Sequence, residues 1–197
     1  MLGVSKLQPV ASIRVLAELG LRDFGENYLQ DALEKQAELA ELPLTWHFIG
    51  RVQSNKTRDI ANRFDWVHGV DRLKIARRLS DRRERPDRLN VCLQVNIDDE
   101  PGKGGLRPNE TAGVAEAVAE LPNIHLRGLM AIPKPHPDLG RQRVAFRQVR
   151  ELYEELRERG LELDTLSMGM TDDMAAAIAE GATIVRIGTA LFGPRPR

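Results

Sequence analysis

The feature that most constrains this chain is a rhythm. Short apolar runs rich in β-branched and aromatic residues alternate with amphipathic stretches along all 197 residues. Residues 2–5, 23–25, 46–49, 66–69, 90–97, 126–130, 163–168 and 183–187 read as strands. Helical spacing falls between them, as in Leu29, Leu33, Ala37 and Ala40 ahead of Pro43, or Phe146, Val149, Leu152, Tyr153 and Leu156 ahead of Gly160. Pro9 opens the first helix and Gly20 closes it. Strands joined through helices pair in parallel, by right-handed crossovers. Eight such units predict a TIM-type (β/α)8 barrel as a single domain over residues 1–197. An open doubly wound sheet is the alternative. It calls for a glycine-rich turn after the first strand, where this chain has Lys6-Leu7-Gln8-Pro9. The pattern yields only seven helices for eight strands, with none before strand one and none after strand eight. The expectation is a barrel lacking its N-terminal helix, with apolar surface exposed around residues 2–4 and 184–187.

Charge and cysteine content remove several function classes. Lys and Arg number 29 and Asp and Glu 29, so no net charge favours a polyanion. The arginine-rich run 77–88 is interleaved with Asp81, Glu84 and Asp87 and reads as a solvated helix end. Cys92 is the single cysteine and lies in an apolar strand pattern, which fits a reducing compartment. With no signal peptide and no apolar run long enough for a membrane, a cytoplasmic protein is expected. His47 and His68 lack Cys, His or Asp partners at ligand spacing, so they read as satisfied core or rim histidines and no metal site is expected.

Barrel function belongs to the C-terminal ends of the strands. Here those ends carry Ser5-Lys6, Glu26-Asn27, residues 50–56, Asp71, Asn96, Met130, residues 167–170 and residues 186–189. The loops after strands seven and eight form the usual phosphate site of such barrels. Gly188 permits close backbone approach and Ser167 offers a hydroxyl. A lysine amine at Lys6, an anion nest and the cation of Arg186 on one rim suit an aldehyde cofactor carrying a phosphate. Each residue also has a plain structural reading. A lysine ending a strand is usually a surface lysine, and Met130, Met168 and Met170 suit core filling. Arg186, inside an apolar strand, needs either a carboxylate partner or a ligand.

Motifs in order along the whole chain carry a resemblance. Gly-Val-Ser-Lys at 3–6, Phe-Gly-Glu-Asn-Tyr at 24–28, Trp-His-Phe-Ile-Gly at 46–50 and Gln-Ser-Asn-Lys at 53–56 are followed by Gln-Val-Asn-Ile at 94–97 and Gly-Leu-Met-Ala-Ile-Pro at 128–133. Leu-Ser-Met-Gly-Met at 166–170 and Val-Arg-Ile-Gly-Thr-Ala-Leu-Phe-Gly at 185–193 complete the series. Together they resemble the pyridoxal phosphate homeostasis proteins, whose fold is the barrel of the alanine racemase N-terminal domain. The resemblance implies that pyridoxal 5′-phosphate forms a Schiff base with Lys6. It implies that Ser167 and the backbone at Gly188 and Thr189 hold the phosphate, that Arg186 faces the pyridine nitrogen, and that Asn55 and Met130 lie near the ring. Thr171 stands where the family usually has serine, which keeps the hydroxyl. Family members begin with a helix before Val-Ser-Lys, which accounts for the helix missing from the count.

An arginine opposite the pyridine nitrogen stays protonated and can only donate, so it leaves that nitrogen unprotonated and weakens the electron sink. Racemisation needs a second base on the opposite face, which the related racemases take from a second domain of the partner subunit. The sequence ends at Arg197 with no such domain. The expectation is therefore a non-enzymatic protein that buffers or delivers pyridoxal phosphate, with apo pyridoxal-phosphate enzymes as recipients, no nucleic-acid or membrane partner, and a monomeric or weakly dimeric state. A minor pyridoxal-phosphate-dependent amino-acid racemase using Lys6 is the alternative.

Overall fold

The computed structural model describes residues 1–193. Its strands are β1 (Leu2–Val4), β2 (Asp23–Glu26), β3 (Thr45–Phe48), β4 (Trp66–Val70), β5 (Leu89–Val95), β6 (Ile124–Ala131), β7 (Thr165–Ser167) and β8 (Arg186–Ile187). The helices are α1 (Val10–Glu18), α2 (Leu29–Glu38), α3 (Thr57–Arg63), α4 (Leu73–Arg82), α5 (Pro108–Ala119), α6 (Leu139–Glu158), α7 (Met174–Ala179) and α8 (Thr189–Phe192). All strand pairs are parallel, in the spatial order β7-β6-β5-β4-β3-β2-β1-β8. Irregular pairing joins the last two strands: Ser167 bridges Ile184, Met168 N–H donates to Ile184 O at 3.1 Å, and Arg186 N–H donates to Gly169 O at 2.9 Å. These bonds bring the ring close to a full circle, so the barrel expected from the alternation is the fold observed.

Helix ends follow local chemistry. Gly20, at φ 97°, takes the left-handed position that ends α1, and Gly160, at φ 93°, does the same after α6. Gly128 has a different role. It sits where the β5–β6 register shifts, and a Cβ there would lie 1.8 Å from the Thr165 carbonyl oxygen of β7. Only glycine lets β6 and β7 approach at that point. The slipped residue before it, Arg127, reaches Asp164 and Asn90 and stacks its guanidinium 4.6 Å over the Trp66 ring.

Three expectations need correction. A helix does follow strand eight: the single turn α8, too short for a periodic signal. The flank beside β1 and β8 is only partly exposed: Val4, Ile184 and Val185 are half-buried, while Leu2 and Ile187 are 1% and 3% accessible. The more exposed apolar side chains stand on the helices to either side, as pairs one turn apart: Val15 on α1 with Leu19 at its C-cap, and Met174 with Ile178 on α7. The arginine run is not wholly solvated either. Arg83 is buried and donates to the carbonyl oxygens of Ala61, Phe64 and Asp87, so it caps the C-terminal end of α3.

Candidate functional site

Lys6 stands two residues beyond β1, at the C-terminal mouth of the barrel. Its backbone is held by a tight turn in which Gln8 N–H donates to Ser5 O at 3.0 Å. Leu7, the third residue of that turn, has φ 60°, the position where a type II turn normally takes glycine. A leucine there stores roughly 1 kcal/mol of strain beside the lysine. Buried polar groups on β2 and α2 hold the turn in place. Ser5 Oγ donates to Glu26 Oε1 at 2.6 Å, and Lys35 Nζ donates to Ser5 O at 2.8 Å, Glu26 Oε1 at 2.9 Å and Asp31 Oδ2 at 2.7 Å. Burial raises the Glu26 carboxyl above its ordinary value of 4.5, with Ser5 and Lys35 pulling the other way.

A cavity of about 220 Å³ opens beside Lys6. That volume is a little below the usual range for ligand sites, about 300–1,000 Å³, and suits a single small substituted ring. Arg186, Gly188 and Thr189 line it with Lys6, together with Gln8, Asn27, Met170, Thr171 and Asp172. Arg186 is 3% accessible and forms no ion pair among the described residues. It binds neutral acceptors: Nη1 donates to Ser167 O at 2.6 Å and Ser167 Oγ at 2.9 Å, and Nη2 donates to Ala131 O at 2.9 Å. A guanidinium has five N–H groups, so two remain for the cavity. Burial lowers its pKa to about 10, which still leaves it charged at neutral pH.

Two further details indicate a ligand. The Oδ1 atom of Asn27, on the cavity wall, is buried without a hydrogen-bond partner. At Gly188 an added Cβ would meet only Val4, at an ordinary 3.6 Å, so the protein's own packing does not require glycine. Gly188 caps α8, and the first N–H groups of that turn have no intrahelical acceptor. The wall therefore offers an amine, a buried cation, unpaired backbone donors and one orphaned acceptor. That donor set fits a phosphorylated, hydroxylated heteroaromatic aldehyde.

Of the seven residues singled out from the sequence, Lys6, Arg186, Gly188 and Thr189 share this cavity. Ser167 lies fully buried behind Arg186, and its hydroxyl also meets His68 Nδ1 at 2.7 Å. Met130 is 1% accessible in the core, and Asn55 is exposed in a 3₁₀ turn at Ser54–Lys56; neither is on the cavity wall. The sequence list omitted Gln8, Asn27 and Asp172. Asn27 follows Glu26 directly at a strand end, a signal that pointed to it. Among the described residues no three His, Cys, Asp or Glu side chains converge as metal ligands, and no helix is long and apolar enough to cross a membrane.

Comparison with known proteins agrees with this geometry. The family profile described as alanine racemase, N-terminal domain, matches residues 6–196. A relative from Pseudomonas aeruginosa named pyridoxal phosphate homeostasis protein is 61% identical over 196 residues, covering 99% of this chain and 84% of its own. The protein of the same name from Escherichia coli (strain K12) is 50% identical over 200 residues, covering 99% and 85%. The structure of PipY from Synechococcus elongatus PCC7942 with pyridoxal phosphate bound superposes with a TM-score of 0.91 at 41% identity, over 98% of this chain and 92% of that one. Alanine racemase from Clostridium difficile 630 shares the fold alone, at 15% identity and a TM-score of 0.84 over 52% of its length. On its profile match and its identity to these relatives across nearly its whole length, the chain belongs to the pyridoxal phosphate homeostasis protein family, built on the alanine racemase N-terminal domain.

Proposed function

We propose that this protein binds pyridoxal 5′-phosphate through Lys6 and serves to hold and release it for other proteins. The observation that carries the reading is the convergence of Lys6, Arg186, Gly188 and Thr189 on one small cavity. When bound, the group supplies an aldehyde that condenses with a lysine amine. Lys6 provides that amine. One of the remaining N–H donors of Arg186 would meet the ring nitrogen, and Ser167 acts behind it. The backbone at Gly188 and Thr189, with the Thr171 hydroxyl, holds the phosphate, and Asn27 accepts from the ring hydroxyl. Asn55 and Met130 are left out of this contact set.

A holding role rather than turnover is supported by the wall itself. Asp172 is the one carboxylate among its described lining residues, and no histidine or tyrosine stands there as a second base. Apo pyridoxal-phosphate enzymes in the cytoplasm are the natural recipients, and the protein acts as a monomer or weak dimer. The test is to reduce the pigmented protein with borohydride and map the adduct by mass spectrometry. The adduct is expected on Lys6, with Lys6→Ala folded but colourless. An adduct confined to Lys56 or Lys103 would falsify the assignment. Deuterium exchange at the α-carbon of amino acids, at a rate in the usual enzyme range of about 1–1,000 per second, would instead establish a racemase.

A further inference from the structure

A line of hydrogen bonds crosses the barrel beneath the cavity. It starts at Asp23, the first residue of β2, whose side chain is 46% accessible on the face opposite the mouth. Asp23 Oδ1 lies 3.1 Å from His47 Nε2 on β3, and His47 Nδ1 lies 3.0 Å from His68 Nε2 on β4. His68 Nδ1 lies 2.7 Å from Ser167 Oγ on β7, which accepts from Arg186 Nη1 on β8. His47, His68, Ser167 and Arg186 are all buried. Trp66 stacks on the His47 ring at 5.4 Å and 11°, which fixes the plane of that imidazole.

The atoms determine the direction of every proton. Asp23 is acceptor-only as a carboxylate, so His47 must carry hydrogen on Nε2. A neutral His47 then has a lone pair on Nδ1 and accepts from His68 Nε2–H. His68 in turn has a lone pair on Nδ1 and accepts from the Ser167 hydroxyl. With its hydrogen committed inward, Ser167 presents only lone pairs to Arg186. Reversing the chain would set the His47 Nε2 lone pair against the Asp23 carboxylate, or require a buried imidazolium. Burial disfavours the imidazolium at both rings. In the reversed order Ser167 Oγ would also take two donors while its own hydrogen lost its acceptor.

We propose that Asp23, His47 and His68 form a positioning relay that holds Ser167 as an acceptor and so aims the Arg186 guanidinium into the cavity. The relay rests on the reading of that cavity as the pyridoxal phosphate site. It makes a half-buried carboxylate on the far face a determinant of how the ring nitrogen is held. None of the three relay residues lines the cavity.

Long-range ¹H–¹⁵N spectra of the ring nitrogens in the ligand-free protein test the direction. Both histidines are expected to be neutral Nε2–H tautomers. A wild-type His68 carrying hydrogen on Nδ1 would overturn the relay without recourse to any variant. Asp23→Lys exchanges the terminal acceptor for a donor at a half-buried position at the edge of the barrel. It is expected to populate Nδ1–H at both rings, to broaden the Arg186 guanidinium signals, and to weaken pyridoxal phosphate binding about three- to tenfold with a shifted visible band. Asp23→Glu should behave as wild type. Unchanged tautomers in Asp23→Lys, or changed tautomers with unaltered affinity and band, would refute the proposal. A wild-type protein that took up no pyridoxal phosphate would sink the function proposed above. The tautomers and the Arg186 signals would still judge the relay.

Discussion

Replacing Lys35 by methionine tests how the lysine turn at the mouth is held. Lys35 Nζ makes three hydrogen bonds, its side chain is 5% accessible, and its partner Glu26 is fully buried. Methionine keeps most of the aliphatic packing, so the loss is electrostatic. Glu26 would retain only the Ser5 hydroxyl on Oε1, and its Oε2 already lacks a partner. Removing one member of a buried pair costs about 3–5 kcal/mol. Asp31, one-third accessible, turns to water at little cost, so about 3 kcal/mol is expected at pH 8. For a chain of this size that lowers the thermal midpoint by about 6–12 °C. The pH dependence has a defined sign. The folded pKa of Glu26 lies above its unfolded value near 4.5, so its contribution is fully present below that value and is lost as pH rises through the folded pKa. Losing the Lys35 charge raises the folded pKa further, so the deficit must be larger at pH 8 than at pH 5. Urea unfolding of the ligand-free protein at both pH values measures it. Adding Glu26→Gln to the variant should erase most of the pH-dependent part. A deficit below about 1 kcal/mol at pH 8, or one equal at the two pH values, would refute the reasoning.

Gly128→Ala should destabilise the fold by about 3 kcal/mol or more, because the new methyl meets the Thr165 backbone at 1.8 Å and neither strand can move without its neighbours; a stability within 1 kcal/mol of wild type in denaturant titration would contradict this. Cys92 is fully buried and its thiol is pushed up to about 12, so native protein should react with no thiol reagent at pH 8 while unfolded protein yields one equivalent.

The barrel was legible in the sequence because alternation is a local signal repeated eight times, and each repeat reinforces the others. The strands begin and end within two residues of their expected bounds, except that β8 starts three residues late, at the closure of the ring where pairing is irregular. Lys6, Arg186, Gly188 and Thr189 were legible as strand-end residues, since topology alone puts such ends on one rim. What the sequence could not determine is which way each side chain faces and what it meets across the barrel. Arg186 left open a choice between carboxylate and ligand; the structure gives it three neutral oxygens and a cavity. His47 and His68 are 21 residues apart and Ser167 lies 99 beyond His68, so no local pattern could announce their contact. Nor could spacing show Lys35 crossing from α2 to support the turn that carries Lys6. Periodicity is a property of neighbours along the chain, and it sets the elements and their order. Hydrogen bonds between buried polar groups form across the chain, where burial makes an unpaired group costly, so the partners are chosen only once the barrel has closed around them.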